Sequence, residues 1–221
     1  MKKLFIIATA LIAFAGCNTK DETKKEEAMI SSADSAKSTE SASVPSTTVA
    51  DAPVDSATQM KAWMAYMTPG KEHAMLASQV GNWKEDMTMW MSEGAPAKKY
   101  TSTSTNKMIF NGLYQESVHK GNIDGMAFEG RSIMSFDNAK KKFVSSWIDN
   151  MGSGIMHMEG TYDSTNKMIT MMGNAVDPVN GKTIDMKETM TFIDDKTVIL
   201  EMYETRGGKE RKNMEIKMTK M

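Results

Sequence analysis

Apolar and polar residues alternate with a period of two from about residue 82 to the C-terminus. This alternation is the pattern of β-strands that bury one face and expose the other. We predict about ten strands, near residues 82–91, 98–109, 113–120, 126–136, 142–149, 153–162, 167–175, 182–193, 196–205 and 209–219. The breaks between these segments contain turn-forming pairs such as Asn111-Gly112 and Gly207-Gly208, which favour antiparallel pairing of successive strands.

The number and spacing of these strands predict an all-β fold. Many hairpin-linked strands close most readily into an antiparallel up-and-down barrel, because closure removes the exposed edges of the sheet. A β-sandwich is the alternative. The chain shows no alternation of strands with helices, so the pattern does not favour a parallel sheet.

A different spacing precedes the strands and predicts one or two short helices. Met60, Trp63 and Met64 recur at intervals that place them on one face of a helix. Pro69 and the glycine after it end this helix. A second short helix follows over residues 71–79.

The first residues have the features of an export signal. Lys2 and Lys3 precede an apolar run over residues 4–15. The run is shorter than the roughly 20 residues that a transmembrane helix needs, and its length is typical of a signal peptide. Residues 14–17, Phe-Ala-Gly-Cys, resemble the bacterial lipobox, in which the peptidase cuts before the cysteine. The resemblance implies that Cys17 becomes the acylated first residue of a lipoprotein.

Composition divides the chain into three regions. Residues 1–16 are the predicted signal peptide, and residues 17–57 are rich in Ser, Thr, Ala and charged residues. A segment with so few large apolar residues cannot offset its chain entropy, so we predict a disordered tether. Residues 58–221 then form one domain. We expect a lipid-anchored protein of the bacterial cell envelope, at the outer membrane, facing either the periplasm or the cell surface.

Charge and residue usage exclude several functions. The net charge is −1, and a nearly neutral domain lacks the basic field of a nucleic-acid-binding protein. Cys17 is the only cysteine, so no disulfide can form within the chain. The histidines His73, His119 and His157 lack the spacing of metal ligands. We therefore expect no metal and no cofactor, and the oligomeric state stays open.

Several short segments of the domain together form a family pattern. They are residues 69–73, 76–77, 80–83, 94–96, 125–130, 147–151, 154–155, 160–163, 177–182 and 201–203. On these segments the chain resembles the domain-of-unknown-function family 1579. That family is similar in outline to calycin-type barrels, namely lipocalins and their small haem- or lipid-binding relatives. The resemblance implies a barrel but brings no activity and no catalytic residue.

The relationship to haem-binding barrels raises the question of an axial histidine. The last predicted strands, where small haem barrels similar to this one place that ligand, contain no histidine. His157 is the best candidate left. We do not expect haem.

Two carboxylates interrupt otherwise apolar strand faces. Glu188 lies among Ile184, Met186 and Met190 on one face of its strand, and Glu85 lies on the apolar face of the first strand. A carboxylate on a core face is unfavourable unless it is paired. Each is therefore a ligand contact, a group with a raised pKa, part of a buried ion pair, for example with Arg131, or a residue at a strand end open to solvent.

Other candidates for the lining of a ligand pocket depend on which strand face points inward. They are His157, Glu159, Trp147, Asp149, Tyr114 and Tyr203. His157 and Glu159 share one face, and Trp147 and Asp149 share another. The sequence leaves open whether these faces line the interior, fill the core or meet solvent.

Three functions are compatible with these features. The 24 methionines suggest a soft interior, and with the inward carboxylates they favour a barrel that binds a small apolar or amphiphilic ligand. The first alternative is a structural or protein-interaction module of the envelope without a small ligand. The second is a hydrolase- or isomerase-like enzyme that uses Glu188 as a general base. We expect a binding protein rather than an enzyme.

Overall fold

The computed structural model describes residues 54–221, and every structural statement here concerns this part of the chain. Two helices, α1 and α2, precede ten strands, β1 to β10. Their bounds are α1 Ser56–Tyr66, α2 Lys71–Ser78, β1 Gly81–Met89, β2 Lys98–Ile109, β3 Tyr114–Ile123, β4 Met126–Asp137, β5 Lys142–Asp149, β6 Met156–Asp163, β7 Met168–Val176, β8 Thr183–Asp194, β9 Thr197–Arg206 and β10 Lys209–Lys220. The predicted signal peptide, Cys17 and nearly all of the predicted tether lie outside the described residues.

The ten strands form one closed antiparallel barrel. Each strand pairs with its neighbours in sequence, and β1 closes the barrel by pairing with β10. The closing register runs from Trp83 opposite Lys220 to Met89 opposite Met214. The predicted all-β up-and-down barrel with short preceding helices is thus confirmed, and the sandwich alternative is not what forms.

Residues alternate between the inside and the outside of the barrel, and partners directly opposite each other on adjacent strands point the same way. Trp83, Glu85 and Met87 are buried and define the inward face of β1. Glu85 lies opposite Ser102 on β2 and Met218 on β10, and both are buried as well. The registers around the sheet therefore assign every strand an inner and an outer face.

Helix α2 closes one end of the barrel. Its Leu76 is buried in the same apolar cluster as Phe143 and Ile169. The carbonyl of Leu76 accepts a hydrogen bond from Nε2 of Gln115 at 2.7 Å. The indole Nε1 of Trp83 donates to the carbonyl of Gln79, just after the helix, at 2.9 Å. Burial of each large apolar side chain here contributes about 1.5–3 kcal/mol, so the closed end is the well-packed end.

Helix α1 forms where the sequence predicts it, but none of its residues is buried. Asp55 caps its first turn by accepting hydrogen bonds from the amides of Ala57 and Thr58. Trp63 is 55% exposed. Asn138, after β4, donates through Nδ2 to the backbone carbonyls at the end of the helix. The apolar residues of α1 therefore lie on the surface, and α1 adds nothing to the barrel core.

Neither helix is long and apolar enough to cross a membrane, as far as residues 54–221 are concerned.

Candidate functional site

The interior of the barrel has two chemically different sides. On β2 to β5 the inward residues include a set that we call the polar wall: Ser102, Ser104, Asn106, Ser117, His119, Ser132 and Ser145. On β6 to β10 the inward residues include a set that we call the methionine wall: Met156, Met158, Met171, Met186, Met190, Met202, Met214 and Met218. Because β3 and β8 are five strands apart in a barrel of ten, the two walls face each other across the lumen.

Glu85 is held beside the polar wall by two side chains. Its Oε1 lies 2.9 Å from Nδ1 of His119, and its Oε2 accepts a hydrogen bond from the hydroxyl of Ser102 at 2.6 Å. Glu85 is only 1% exposed. Burial alone would raise the pKa of Glu85, but the hydrogen bond and charge of His119, together with Ser102, outweigh burial and hold the pKa below its ordinary value. Glu85 is therefore an ionised, satisfied carboxylate.

The contact with Glu85 orients the imidazole of His119. Nδ1 is occupied by the carboxylate, and none of the hydrogen bonds formed among residues 54–221 uses Nε2. The ring packs edge-on against Trp147, with centroids 5.1 Å apart. A histidine held through one nitrogen by a carboxylate presents the other nitrogen in a fixed direction. His119 is thus a polar group available to a ligand.

Trp147 lies next to His119, near the end of the barrel opposite α2. Its Nε1 donates to Oδ2 of Asp149 at 2.6 Å, and Phe128 stacks on its ring. The indole covers Gly130, where an added Cβ would lie only 2.5 Å from ring atoms. Only glycine leaves enough room at that position. Asp149 and Gly130 therefore fix the aromatic side chain that borders the polar wall.

Glu188 lies on the opposite side, in the methionine wall. It is near the middle of β8, between Met171 on β7 and Met202 on β9. Burial raises the pKa of Glu188 to about 7. The residue nevertheless keeps an intermediate exposure. A side chain that faces the barrel interior and keeps some accessible surface borders space that no protein atom fills.

Ionic groups near the end opposite α2 are already paired. Glu204, inward on β9, forms ion pairs with Arg206 at 3.1 Å and with Arg211. Arg206 also donates to Asp177 at 2.5 Å, which lowers the pKa of that carboxyl group. These arginines therefore neutralise acids of the protein itself.

Five residues that the sequence offered as pocket candidates lie on the outside of the barrel or away from its lumen. They are Arg131, His157, Glu159, Tyr114 and Tyr203. Glu159 contacts Lys142 at 2.6 Å and Lys140 at 3.1 Å.

These positions correct the expectation that the five line a pocket. On β6, Met156 and Met158 face inward, so the residues between and after them must face outward. The same alternation places Tyr203 outward beside the inward Met202. Arg131 pairs with neither interior glutamate, because it points outward and contacts Glu129 at 3.5 Å.

The structure thus brings Glu85, Trp147 and Asp149 to one side of the lumen and Glu188 to the other. It adds His119, Ser102 and Ser104, which sequence reasoning missed as site residues. Their strands offered no sidedness, since β2 reads Lys-Lys-Tyr-Thr-Ser-Thr-Ser-Thr and is polar on both faces. The described residues contain no group of three or more His, Cys, Asp or Glu side chains arranged to hold a metal ion.

Two solved structures are similar to this chain. The crystal structure of Rv2717c from M. tuberculosis is 10% identical in sequence, with a TM-score of 0.51 over 70% of this chain and 99% of that chain. The structure of the S-type phycobiliprotein lyase CPES from Guillardia theta is 9% identical, with a TM-score of 0.47 over 72% of this chain and 96% of that chain. At such identities the likeness to Rv2717c shows the fold alone.

No curated protein matches the sequence. The family model described as "Protein of unknown function (DUF1579)" matches residues 68–220, which include α2 and all ten strands. The chain therefore belongs to the DUF1579 family of proteins of unknown function.

Proposed function

We propose that the barrel binds a small apolar or amphiphilic molecule in its lumen. The observation that carries this proposal is the partly accessible Glu188 in the middle of the methionine wall. A barrel of ten strands is wider than one of eight, which already holds one small ligand in some proteins. Helix α2 closes one end, so a ligand would enter from the other.

The methionine wall favours contact with the apolar part of a ligand and sets few demands on the shape of that part. Methionine side chains are unbranched and polarisable, and they adapt to ligands of varied outline. Met190 and Met202 flank Glu188 on the lumen side and keep an intermediate exposure. A ligand in the lumen would cover this remaining apolar surface and gain about 25 cal/mol for each Å² removed from water.

The polar wall supports a hydrogen-bonding contact on the other side of the same ligand. His119 presents Nε2, and the hydroxyl of Ser104 is buried without a hydrogen-bond partner among the described residues. Unsatisfied buried polar atoms are rare in proteins. A ligand with one polar edge and one apolar edge fits between the two walls.

Uptake of the neutral apolar dye Nile red, with displacement by a cell-lipid extract, tests this proposal. Met202→Trp would fill the lumen and should abolish most dye binding. Met172→Trp is the matched control, because Met172 is 51% exposed on the outer face of β7. Equal dye uptake by both variants, each checked for native circular dichroism, would contradict binding inside the barrel.

We also propose that the domain is anchored to the bacterial cell envelope through Cys17. The support is the sequence alone: Lys2 and Lys3, the apolar run over residues 4–15 and the lipobox-like residues 14–17. Acylation would tie the chain to a membrane, with about 0.8 kcal/mol from each buried methylene. Cys17→Ser should move the protein from the membrane fraction to the soluble fraction. Unchanged fractionation would reject the anchor.

A further inference from the structure

We propose that the ligand in the lumen carries a protonated amine, and that Glu188 is the counter-ion of that amine. This inference rests on the proposed function and names the chemical class of the ligand. It goes beyond lumen binding because it distinguishes a cationic head group from a neutral or anionic one on the same apolar body.

The first support is the isolation of Glu188 among the interior acids. Its neighbours on adjacent strands are Met171 and Met202, and within residues 54–221 it forms no ion pair or hydrogen bond. Glu85, in contrast, contacts His119, and Glu204 contacts two arginines. A carboxylate in an apolar site without a partner is unfavourable. A cationic ligand would supply the partner that the protein does not.

The second support is the sign of the charges that face the lumen around Glu188. On β7 the inward neighbours Ile169, Met171 and Gly173 are uncharged. On β9 they are Leu200 and Met202, followed by Glu204, whose charge is compensated by Arg206 and Arg211.

The opposite side contributes the Glu85–His119 pair, with both residues near the middle of their strands. On β10 the inward Met214 lies opposite Met202, and the inward Arg211 lies nearer the end opposite α2, where it is ion-paired with Glu204. The lumen therefore favours a cation and disfavours a carboxylate or phosphate head group.

The titration of Glu188 adds a pH dependence to this preference. Its pKa is raised to about 7 by burial, so half of the sites are uncharged near neutral pH in the absence of ligand. An alkylammonium has a pKa near that of lysine, about 10, and stays charged throughout. Amine affinity should therefore rise as the pH increases through 7, because Glu188 becomes ionised. Octanol affinity should not follow that rise.

Three ligands with the same eight-carbon chain provide the test: octylammonium, octanol and octanoate, measured by calorimetry at pH 8. The protein should bind octylammonium about tenfold or more tightly than octanol, and octanoate least, since a nearby charge pair at intermediate dielectric contributes at least that factor. Glu188→Gln should abolish the advantage of octylammonium over octanol.

Glu159→Gln is the matched control, because it removes a carboxylate from the outer face of β6. It should leave the amine preference intact. If octanol binds and octylammonium binds no better, or if Glu188→Gln keeps the preference, the amine inference is overturned while lumen binding stands. If none of the three ligands binds and Nile red does not enter either, the proposed function itself fails.

Discussion

Glu85 and Glu188 are the same residue type, each near the middle of its strand and each pointing into the same barrel, yet their charge states differ. Glu85 has two hydrogen-bonding partners on the polar wall, and its pKa is lowered despite nearly complete burial. Glu188 stands among methionines, and its pKa is raised to about 7. The comparison teaches that partners, rather than burial, decide whether an interior carboxylate is ionised.

The largest expected effect follows from removing the partner of Glu85. His119→Leu would leave a buried carboxylate without its imidazole and should lower the free energy of unfolding by about 3–5 kcal/mol. Urea unfolding at pH 7 measures this loss. The double variant Glu85→Leu/His119→Leu should recover much of the stability, because no unpaired charge then remains. A single variant as stable as the wild type would show that the pair does not hold Glu85 ionised.

Removing the charge of Glu188 should, in contrast, raise the stability of the folded protein. In the ligand-free protein its raised pKa means that the folded state binds a proton between about pH 4.5 and 7 that the unfolded state has released. Stability from this group is therefore present at low pH and lost as the pH rises through 7.

Glu188→Gln should accordingly stabilise the ligand-free protein at pH 8 by about 3 kcal/mol, because the pKa of Glu188 is raised from 4.5 to about 7 and each pKa unit corresponds to about 1.4 kcal/mol. The gain should vanish near pH 4, where the glutamate is protonated in both states. Thermal unfolding across this pH range, with Glu159→Gln as a surface control, measures the difference. A gain that does not change with pH would assign the effect to packing instead of charge.

A smaller loss of stability is expected when the contact between Gly130 and Trp147, beside the polar wall, is crowded. Gly130→Ala would place a methyl group against the ring of Trp147 and should lower stability by about 1–3 kcal/mol. Tryptophan fluorescence should also shift, since the indole must move away from His119. Gly154→Ala is the control, because a Cβ there meets no atom within 4 Å. Equal stability of the two variants would contradict the tight contact.

The smallest effect distinguishes two neighbouring serines of the polar wall. Ser102→Ala removes a hydrogen bond to the charged Glu85 and should lower stability by about 1 kcal/mol, because the carboxylate keeps its contact with His119. Ser104→Ala removes a buried hydroxyl that forms no hydrogen bond of good geometry among the described residues, although it helps to lower the pKa of Glu85, and should cost less stability than Ser102→Ala. If the ligand contacts the polar wall as proposed, Ser104→Ala should weaken its binding all the same.

The barrel could be predicted because its strands show alternating apolar and polar residues and are separated by turn-forming residues. Glu85 and Glu188 could be predicted as interior groups because each interrupts an apolar face. Their different partners could not, since the contact from Glu85 to His119 joins β1 to β3 across the face of β2. Such a contact depends on the register and on the curvature of the closed sheet.

The outward position of His157 and Glu159 shows where the alternation left a choice between two faces open. The predicted strand began at residue 153 and counted Ile155 with them as one face. In the structure β6 begins at Met156, and Ile155 is exposed before the strand. The inward face is therefore that of Met156 and Met158. The pairing of Met156 and Met158 with inward residues of β5, which the sequence alone does not show, decides between the two faces.

The pairing of β1 with β10 makes the seam of the barrel its longest-range contact along the chain. During folding this seam cannot form until β10 has paired with β9, and until then β1 and the other end of the sheet each present an open edge. Open edges invite pairing with other chains, and contacts between distant segments form slowly. A chain with an open barrel is therefore prone to aggregate. Deletion of the twelve residues of β10 would leave both edges open in the folded protein as well.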